Sequence, residues 1–588
     1  MSLLTRKIYS ARSWKRFAVL SLSTLVCFYV FQLANEKVSL RIPRYSAETG
    51  LSTVIGDETP TESPAAAEAC AALFQSFLRQ GSGWGMRSFS DRKSIFFSRR
   101  RVIQSVKYLR LYGHCFVTNL APFDGIDYEE LDSRLFPIFT RELPVFTRWD
   151  DTREDEATSV NEQENVKLEG SDLNQTLKLP FWRRAKDSMK DRGIVISFGE
   201  GGVSEVKMLL NVLRLLGNKL PIQLVHKGDV SAEAMQSISY VARNDVTKDA
   251  ETNTHGFDLP QEIWFVNAKR GIKNGHHDLF KRFSNKWIAS LFNSFDEMIL
   301  MDSDAVPFMN PERFFDLVGY QETGAFFFKD RLIDEYLKTS DLKFYKKLLP
   351  TEEESKVFGI PSSTEKTTQN DFFKAGYKHL MESGVVVIKR SDHLPGLLIS
   401  TALQLWKETS EPVYGDKELF WLGQSISGNE NYRFNKNAAG ALGILNRDEK
   451  RALNYTCSTQ LAHFDEKLRL LWINGGLRNC KKPSWYFDFG KQKSLRRKFK
   501  SPAELEDYFK APIDVDGAVI PARSKNSLYQ NLRGKKAGFE KCPKMGCDGA
   551  FWSAFDSLNS YGGETIRFNP SFIKEIGQVI HSWNLEYS

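Results

Sequence analysis

FDEMILMDSDAVPF, residues Phe295 to Phe308, sets an apolar run, Met298 to Met301, directly against two carboxylates one residue apart, Asp302 and Asp304, and closes on Pro307. Proline ends a strand or a helix by removing a donor and fixing φ. A short apolar run so bounded predicts a buried strand delivering two acids to its C-terminal edge. In an α/β sheet the crevice lies at the carboxyl ends of the strands, and two hard oxygen donors there suit Mg²⁺ or Mn²⁺ holding phosphates. Alternatively, the pair is a strand-ending turn with solvated acids. A second D-x-D, Asp514 and Asp516, lies between Pro512 and Pro521 with Gly517 next to it. That setting predicts a turn.

Upstream, GIVISF from Gly193 is a β-branched apolar run, GEGG follows at Gly199 to Gly202, and Val206, Leu209, Leu210 and Leu213 recur at helical spacing before Gly217. LPIQLVHKGD is the next strand, so a β-loop-α-β unit opens a parallel α/β sheet here. The Gly199 loop could let phosphate or sugar oxygens approach backbone N–H groups at a helix N-terminus, and packing against the following strand explains its glycines equally well. Neither G-x-G-x-x-G nor G-x-x-x-x-G-K-[ST] is present, which argues against a dinucleotide fold and a P-loop. EIWFVNA, Glu262 to Ala268, predicts a further strand, and FSNKWIASLFNSF, Phe283 to Phe295, predicts a helix running into the Asp302 strand. Lys286 lies one turn into that helix. Further strands are expected at Gly324 to Arg331 and at MESGVVVIKR, with Glu382 at its start and Gly384 permitting close approach. Asp416 and Glu418 open an aromatic helix in GDKELFWLG.

The chain has 588 residues, 41% hydrophobic and 26% charged, which are globular values for one large or two fused domains. Its net charge of +8 is moderate, and five basic residues fall in the first sixteen without an acid. Phe17 to Ala34 is uncharged and just long enough to cross a thin bilayer. Basic residues before it orient the N-terminus to the cytosol, and no A-x-A-like site closes the run, which favours an anchor over a cleaved signal. The expected plan is a cytosolic tail (1–16), a transmembrane signal-anchor (17–34), a Ser/Thr/Pro/Ala-rich lumenal stem (35–68), a support region (69–190), a catalytic core (191–480) and a C-terminal extension (481–588). Asn174 and Asn454 head glycosylation sequons. Six of the seven cysteines follow the span, and an even number in an oxidising lumen predicts disulfides. Proximity suggests Cys542 with Cys547. No C-x-x-C pair supports zinc, and nothing points to nucleic acid.

In consecutive order, RGIVISFGEGG, LRLLGNKLPIQLVHKGD, NKWIASLFNSFDEMILMDSDAVPFMNPERFFD, TGAFFFKDR, ESGVVVIKR, YGDKELFWLG and HFDEKLRLLWINGG resemble the fungal Golgi α-1,3-mannosyltransferases of the Mnn type. The resemblance implies a GT-A-like nucleotide-sugar-binding fold with a mixed, mainly parallel central sheet, GDP-mannose as donor, and Mn²⁺ on the D-x-D acids. Carried over, Asp302 faces the nucleotide sugar and Asp304 ligates the metal. His463, from a late segment, is the candidate third ligand, with a structural histidine as the alternative. Gly199 and Lys286 join Asp302 as donor-binding candidates. An α-linked donor giving an α-linked product means retention, and Glu382, Asp416 and Glu418 are the acids to seek near the sugar. The acceptor implied is a mannosylated O- or N-linked glycoprotein, in a Golgi membrane and in possible complex with other glycosyltransferases. Rival readings are an α-1,2-mannosyltransferase of the same fold, a glycoside hydrolase using Glu382 with Asp416, and a non-catalytic subunit of a glycan-assembling complex.

Overall fold

The computed structural model describes residues 64–80, 99–118, 125–154, 179–243, 259–333, 335–522, 539–542, 545–558 and 561–585. The tail, the expected span at 17–34, the stem up to residue 63 and the sequon at Asn174 lie outside them. Among the described residues no helix is long and apolar enough to cross a membrane.

A nine-stranded sheet forms the body. Its strands are β1 (Val145–Arg148), β2 (Arg153–Glu154), β3 (Lys190–Ser197), β4 (Ile222–His226), β5 (Ile263–Asn267), β6 (Phe295–Met301), β8 (Ala325–Lys329), β9 (Met381–Lys389) and β10 (Arg433–Phe434), while β7 (Ala305–Pro307) belongs to a smaller sheet. The order is β10-β8-β9-β6-β3-β4-β5-β1-β2. The middle four, β6, β3, β4 and β5, run parallel, as the β-loop-α-β reading requires, and β9 and β1 join them antiparallel on either side. The architecture is α/β.

The sheet is covered on both faces, which is why its central strands are apolar throughout rather than alternating. Ile194, Ile196, Ile299 and Met301 pack on one face with α1 (Val203–Leu215), while Val195, Met298 and Leu300 face the opposite core with α2 (Asn285–Leu291), α3 (Arg390–Leu405) and α4 (Lys417–Ser427). Each such side chain removed from water contributes roughly 1.5–3 kcal/mol, so β6 is a rigid mount for whatever follows it.

The helix expected from Phe283 to Phe295 is shorter, Asn285–Leu291. Buried Arg390 collects the carbonyls of Ser290, Leu291, Asn293 and Phe295 at 2.6–2.9 Å, so the chain unwinds there and Phe295 enters β6. The stem expected to 68 ends sooner, because a helix begins at Pro64. Proline is favoured in a first turn, and the alanines after it are strong helix formers. Cys70, Phe74 and Phe77 bury one stripe of that helix.

The six cysteines after residue 34 all pair, but as Cys70–Cys115, Cys457–Cys542 and Cys480–Cys547. The suggested Cys542–Cys547 bridge is therefore corrected: closeness in sequence does not bring the two side chains together, since each faces a partner on a different segment. The last hundred residues are not a separate body. All described residues fall in one compact unit from Glu62 to Ser588. In it the C-terminal helix α5 (Pro570–Trp583) lays Trp583 against Gly476, whose φ is +68°.

Candidate active site

β6 ends where the sequence predicted, and what fixes Asp302 is backbone. The Asp302 N–H donates to the Gly384 carbonyl of β9 at 2.8 Å, and its own carbonyl accepts from Ala305 at 3.0 Å. The chain thereby turns into β7, which pairs with β12 (Leu470–Asn474), itself paired with β11 (Leu461–Phe464). The Asp304 carbonyl accepts from the N–H groups of Gly475 and Gly476 at 3.1 and 2.9 Å. Both acids therefore stand on strand ends, facing a cleft of about 710 Å³. Gly384 does permit close approach: a Cβ there would meet the Trp472 ring at 2.7 Å.

Three lysines hold four of the acids in the cleft. Lys286, buried in α2, places Nζ 2.9 Å from Asp302 Oδ1 and 3.0 Å from Asp416 Oδ2, and donates to the Ser383 carbonyl and hydroxyl at 2.8 and 3.0 Å. Burial alone would depress its ammonium, but the two carboxylates hold it well above its ordinary value. Asp302 is also pushed up, to about 7, by burial, with the like charges of Asp304 and Asp416 adding to it and Lys286 opposing. Lys417 bridges Glu382 Oε2 at 2.6 Å and Asp330 Oδ2 at 2.9 Å. Lys481, more than half exposed, places Nζ 2.5 Å from Asp304 Oδ2.

Of the three acids expected near the sugar, Glu382 and Asp416 line the cleft. Glu382 is fully engaged: Oε1 accepts from the N–H groups of Ser383 and Gly384 and from Asn474 Nδ2, and Oε2 from Lys417. Asp416 accepts from the Ser383 hydroxyl at 2.8 Å as well as from Lys286. Glu418 is not on the cleft wall. Its carboxylate takes the N–H groups of Leu380 and Met381 and the Trp421 indole N–H, and burial pushes it up to about 7. It ties α4 to the start of β9, a structural task. Gly199 is also off the wall: Gly201 and Gly202 line the cleft in its place, and a Cβ at Gly199 would meet Asp229.

His463 departs furthest from expectation. It lies on β11, fully buried, stacked on Trp472 with ring centroids 4.0 Å apart and edge-on to Phe328. Burial holds its imidazole neutral, down to about 3, and neither ring nitrogen has a hydrogen-bond partner. Among the described residues no three His, Cys, Asp or Glu side chains converge as a metal site, so His463 does not join Asp302 and Asp304. A histidine between strand residues faces whichever side the pleat dictates, and here that side is the core. Asp514 and Asp516 stay off the cleft, the latter accepting from the Leu445 N–H. The sequon asparagine Asn454 sits on a strand with Nδ2 donating to Asp556 at 2.7 Å.

Sequence reasoning missed Asn474, Lys417, Lys481 and Lys482. Asn474 ends the apolar strand LLWIN as Asp302 ends its own, a signal that was available. Its Nδ2 is spent on Glu382 while its Oδ1 has no partner. Lys481 and Lys482 follow Cys480, and the bridge to Cys547 anchors that segment beside the acids.

The family model described as "Mannosyltransferase putative" matches residues 191–465, the segment that supplies β3 to β11. Alpha-1,3-mannosyltransferase MNT2 of Saccharomyces cerevisiae is 31% identical over 512 residues, which covers 82% of this chain and 87% of that protein. The chain belongs to the fungal α-1,3-mannosyltransferase family. Its relative MNN13 from Candida albicans is 34% identical over 475 residues, covering 75% of this chain. The chain spans 61% of MNN13 and 57% of MNN1 from the same organism. Among solved structures, the mannosyltransferase Ktr4p from S. cerevisiae in complex with GDP aligns at 9% identity, 63% of this chain, 84% of that chain and a TM-score of 0.26, too slight a likeness to carry any argument. In this chain the cleft is the place where the acids, the cations and Gly201 and Gly202 coincide.

Proposed function

We propose that the chain is a GT-A-like, retaining mannosyltransferase that moves mannose from GDP-mannose onto a mannosylated glycoprotein glycan in an α-1,3 linkage. The observation that carries this reading is the pairing of the two acids at the end of β6 with cations in a single cleft, in a chain whose relatives are named α-1,3-mannosyltransferases. A nucleoside diphosphate leaving group needs positive charge at its β-phosphate, and Lys481 and Lys482 lie on the cleft wall to meet it.

Asp302 and Asp304 suit a divalent ion such as Mn²⁺. Each keeps one carboxylate oxygen beyond the lysine contact, and hard ions of this kind take one or two carboxylates and complete their shell with water and substrate phosphates. When bound, the ion supplies Lewis-acid stabilisation of the charge developing on the diphosphate. Lys286 fixes Asp302 and Asp416 in place, and Lys417 with Asn474 does the same for Glu382.

Retention favours a front-face course. The acceptor hydroxyl oxygen bonds to C1 as the C1–O bond to GDP breaks, and the hydroxyl proton passes to the departing phosphate oxygen. What supports this over a double displacement is that both oxygens of Glu382 already accept from four donors, which leaves it a poor nucleophile. We place the protein in the Golgi membrane, anchored by residues 17–34 with the body lumenal.

The test is mannose transfer from GDP-mannose to α-mannobiose by the lumenal part, with Mn²⁺, with EDTA and with Asp304→Ala, followed by linkage analysis. Product that vanishes in the last two conditions supports the reading. No transfer to any mannosyl acceptor overturns the donor assignment.

A further inference from the structure

Six aromatic side chains among the described residues are more than a third exposed: Tyr240, Phe283, Tyr336, Tyr414, Tyr486 and Phe487. Two of them stand at or beside the cleft. Phe283, 53% exposed, lines it, and Tyr414, 58% exposed, stands two residues before Asp416. Gly415 separates Tyr414 from Asp416, and a Cβ there would touch the Phe283 ring at 3.4 Å, so the two segments lie against each other through a glycine with φ +63°.

Phe283 is held by the machinery of the acids. Phe283 precedes by three residues Lys286, whose Nζ grips Asp302 and Asp416. Its turn is fixed by the Ser284 hydroxyl, which accepts from the Lys281 N–H and donates toward the carbonyls of Leu279 and Lys281. Arg282, just before it, adopts φ +54°, a left-handed conformation that costs energy in a bulky residue. That strain aims consecutive side chains, Arg282 and Phe283, into the cleft. An exposed phenylalanine held by a strained turn gains nothing for folding.

The other exposed aromatics near the site differ. Phe487 carries Lys491 Nζ over its ring at 4.0 Å, and, like Tyr414, neither it nor Tyr486 is on the cleft wall; what sets Tyr414 apart is its place two residues before Asp416, next to the Gly415–Phe283 approach. Their side of the cleft carries Arg478, Lys481, Lys482 and Lys510, which match an anionic donor. On the Phe283 side the cations are Arg282, Lys286 and Lys417, and the two lysines are paired with Asp302, Asp416 and Glu382, so that side suits a neutral sugar better. Hexopyranosides present flat C–H faces that pack on aromatic rings while their hydroxyls stay wet, the amphipathic arrangement aromatic side chains favour.

We propose that Phe283 and Tyr414 form the platform on which the terminal mannose of the acceptor stacks, so that its attacking hydroxyl faces the donor at Asp302. The proposal deepens the mannosyltransferase reading and rests on it. Lys417 Nζ lies 5.9 Å from the Tyr414 ring and His379 has its ring centroid 6.0 Å from it, while 58% of Tyr414 stays exposed.

Two measurements test it separately from that reading. Saturation-transfer NMR records α-mannobiose binding without turnover, and steady-state transfer gives KM for acceptor and donor. Phe283→Ala and Tyr414→Ala are each expected to raise the acceptor KM about tenfold, the worth of one good aromatic contact, and to weaken the NMR signal equally. Donor KM, GDP release without acceptor and melting temperature should stay at wild-type values. Phe283→Tyr and Tyr414→Phe should keep acceptor affinity. Transfer by wild type with an unchanged acceptor KM in both alanine variants overturns the platform and spares the transferase. Mannobiose binding lost in the variants of a chain that transfers nothing overturns the transferase and spares the platform. A rise in donor KM equal to that for acceptor overturns the platform, as does absence of mannobiose binding by wild type.

Discussion

Replacing Lys286 by methionine removes one ammonium from between two carboxylates and keeps the stem that packs in α2. Four contacts at 2.8–3.0 Å disappear, and buried Asp416 keeps only the Ser383 hydroxyl. Breaking a buried pair by removing one partner costs about 3–5 kcal/mol. Asp302 is a quarter exposed, which argues for the middle of that range, about 4 kcal/mol. With an unfolding entropy of about 2 cal/mol/K per residue, a unit running from Glu62 to Ser588 carries roughly 1 kcal/mol/K, so the midpoint should fall by about 4 °C. The loss depends on pH with a definite sign. Asp302 is already raised to about 7 with Lys286 present, so its folded value lies above its unfolded one and stability falls as pH climbs between them. Without Lys286 it rises further. At low pH Asp302 escapes by taking up a proton, and at high pH it cannot. Scanning fluorimetry of Lys286→Met at pH 5.5 and 8.5 should therefore show the larger deficit at 8.5, and Asp416→Asn in the same chain should recover part of it. A variant within about 1 °C of wild type at pH 8.5, or a deficit larger at 5.5, would refute the electrostatic account.

Four other outcomes follow from the same geometry. Lys481→Ala should change stability by less than about 1 kcal/mol, since its ion pair is largely solvated, yet raise the donor KM about tenfold in steady-state transfer assays. His463→Phe should leave transfer and its Mn²⁺ response intact, because the ring fills core space against Trp472; loss of metal dependence in metal titrations would restore the histidine as a ligand. Glu418 is raised to about 7 by burial, so it contributes a loss of stability of up to about 1.4 kcal/mol per pH unit as pH rises from about 4.5 to 7. Denaturant midpoints of Glu418→Gln across that window should have a shallower slope than wild type, even though the amide opposes the Trp421 N–H and lowers the whole curve. Cys547→Ser opens a bridge spanning 67 residues, worth about 4 kcal/mol by loop entropy, and should both lower the melting point and raise the donor KM by freeing Lys481 and Lys482.

Sequence alone determined what depends on local order. The apolar run before Asp302, the helical spacing after the Gly199 loop and the glycine punctuation are consequences of backbone period and burial, and each became the strand or helix they imply. It also placed Lys286 beside an acid strand, and the ammonium does reach Asp302. Tertiary structure decided everything that depends on which distant segments meet. Three acids of similar promise were separated by direction alone: Glu382 and Asp416 face the cleft, whereas Glu418, two residues from Asp416 and so about 200° round the same helix turn, points into the core. His463 has the residue type of a ligand and the pleat position of a core residue. Asn474, Lys481 and the Cys480–Cys547 bridge come to the acids only because β12 pairs with β7 across a gap of more than a hundred and fifty residues in the chain. That juxtaposition leaves no trace in spacing or periodicity, since both report a residue's neighbours along the chain and not its neighbours in space.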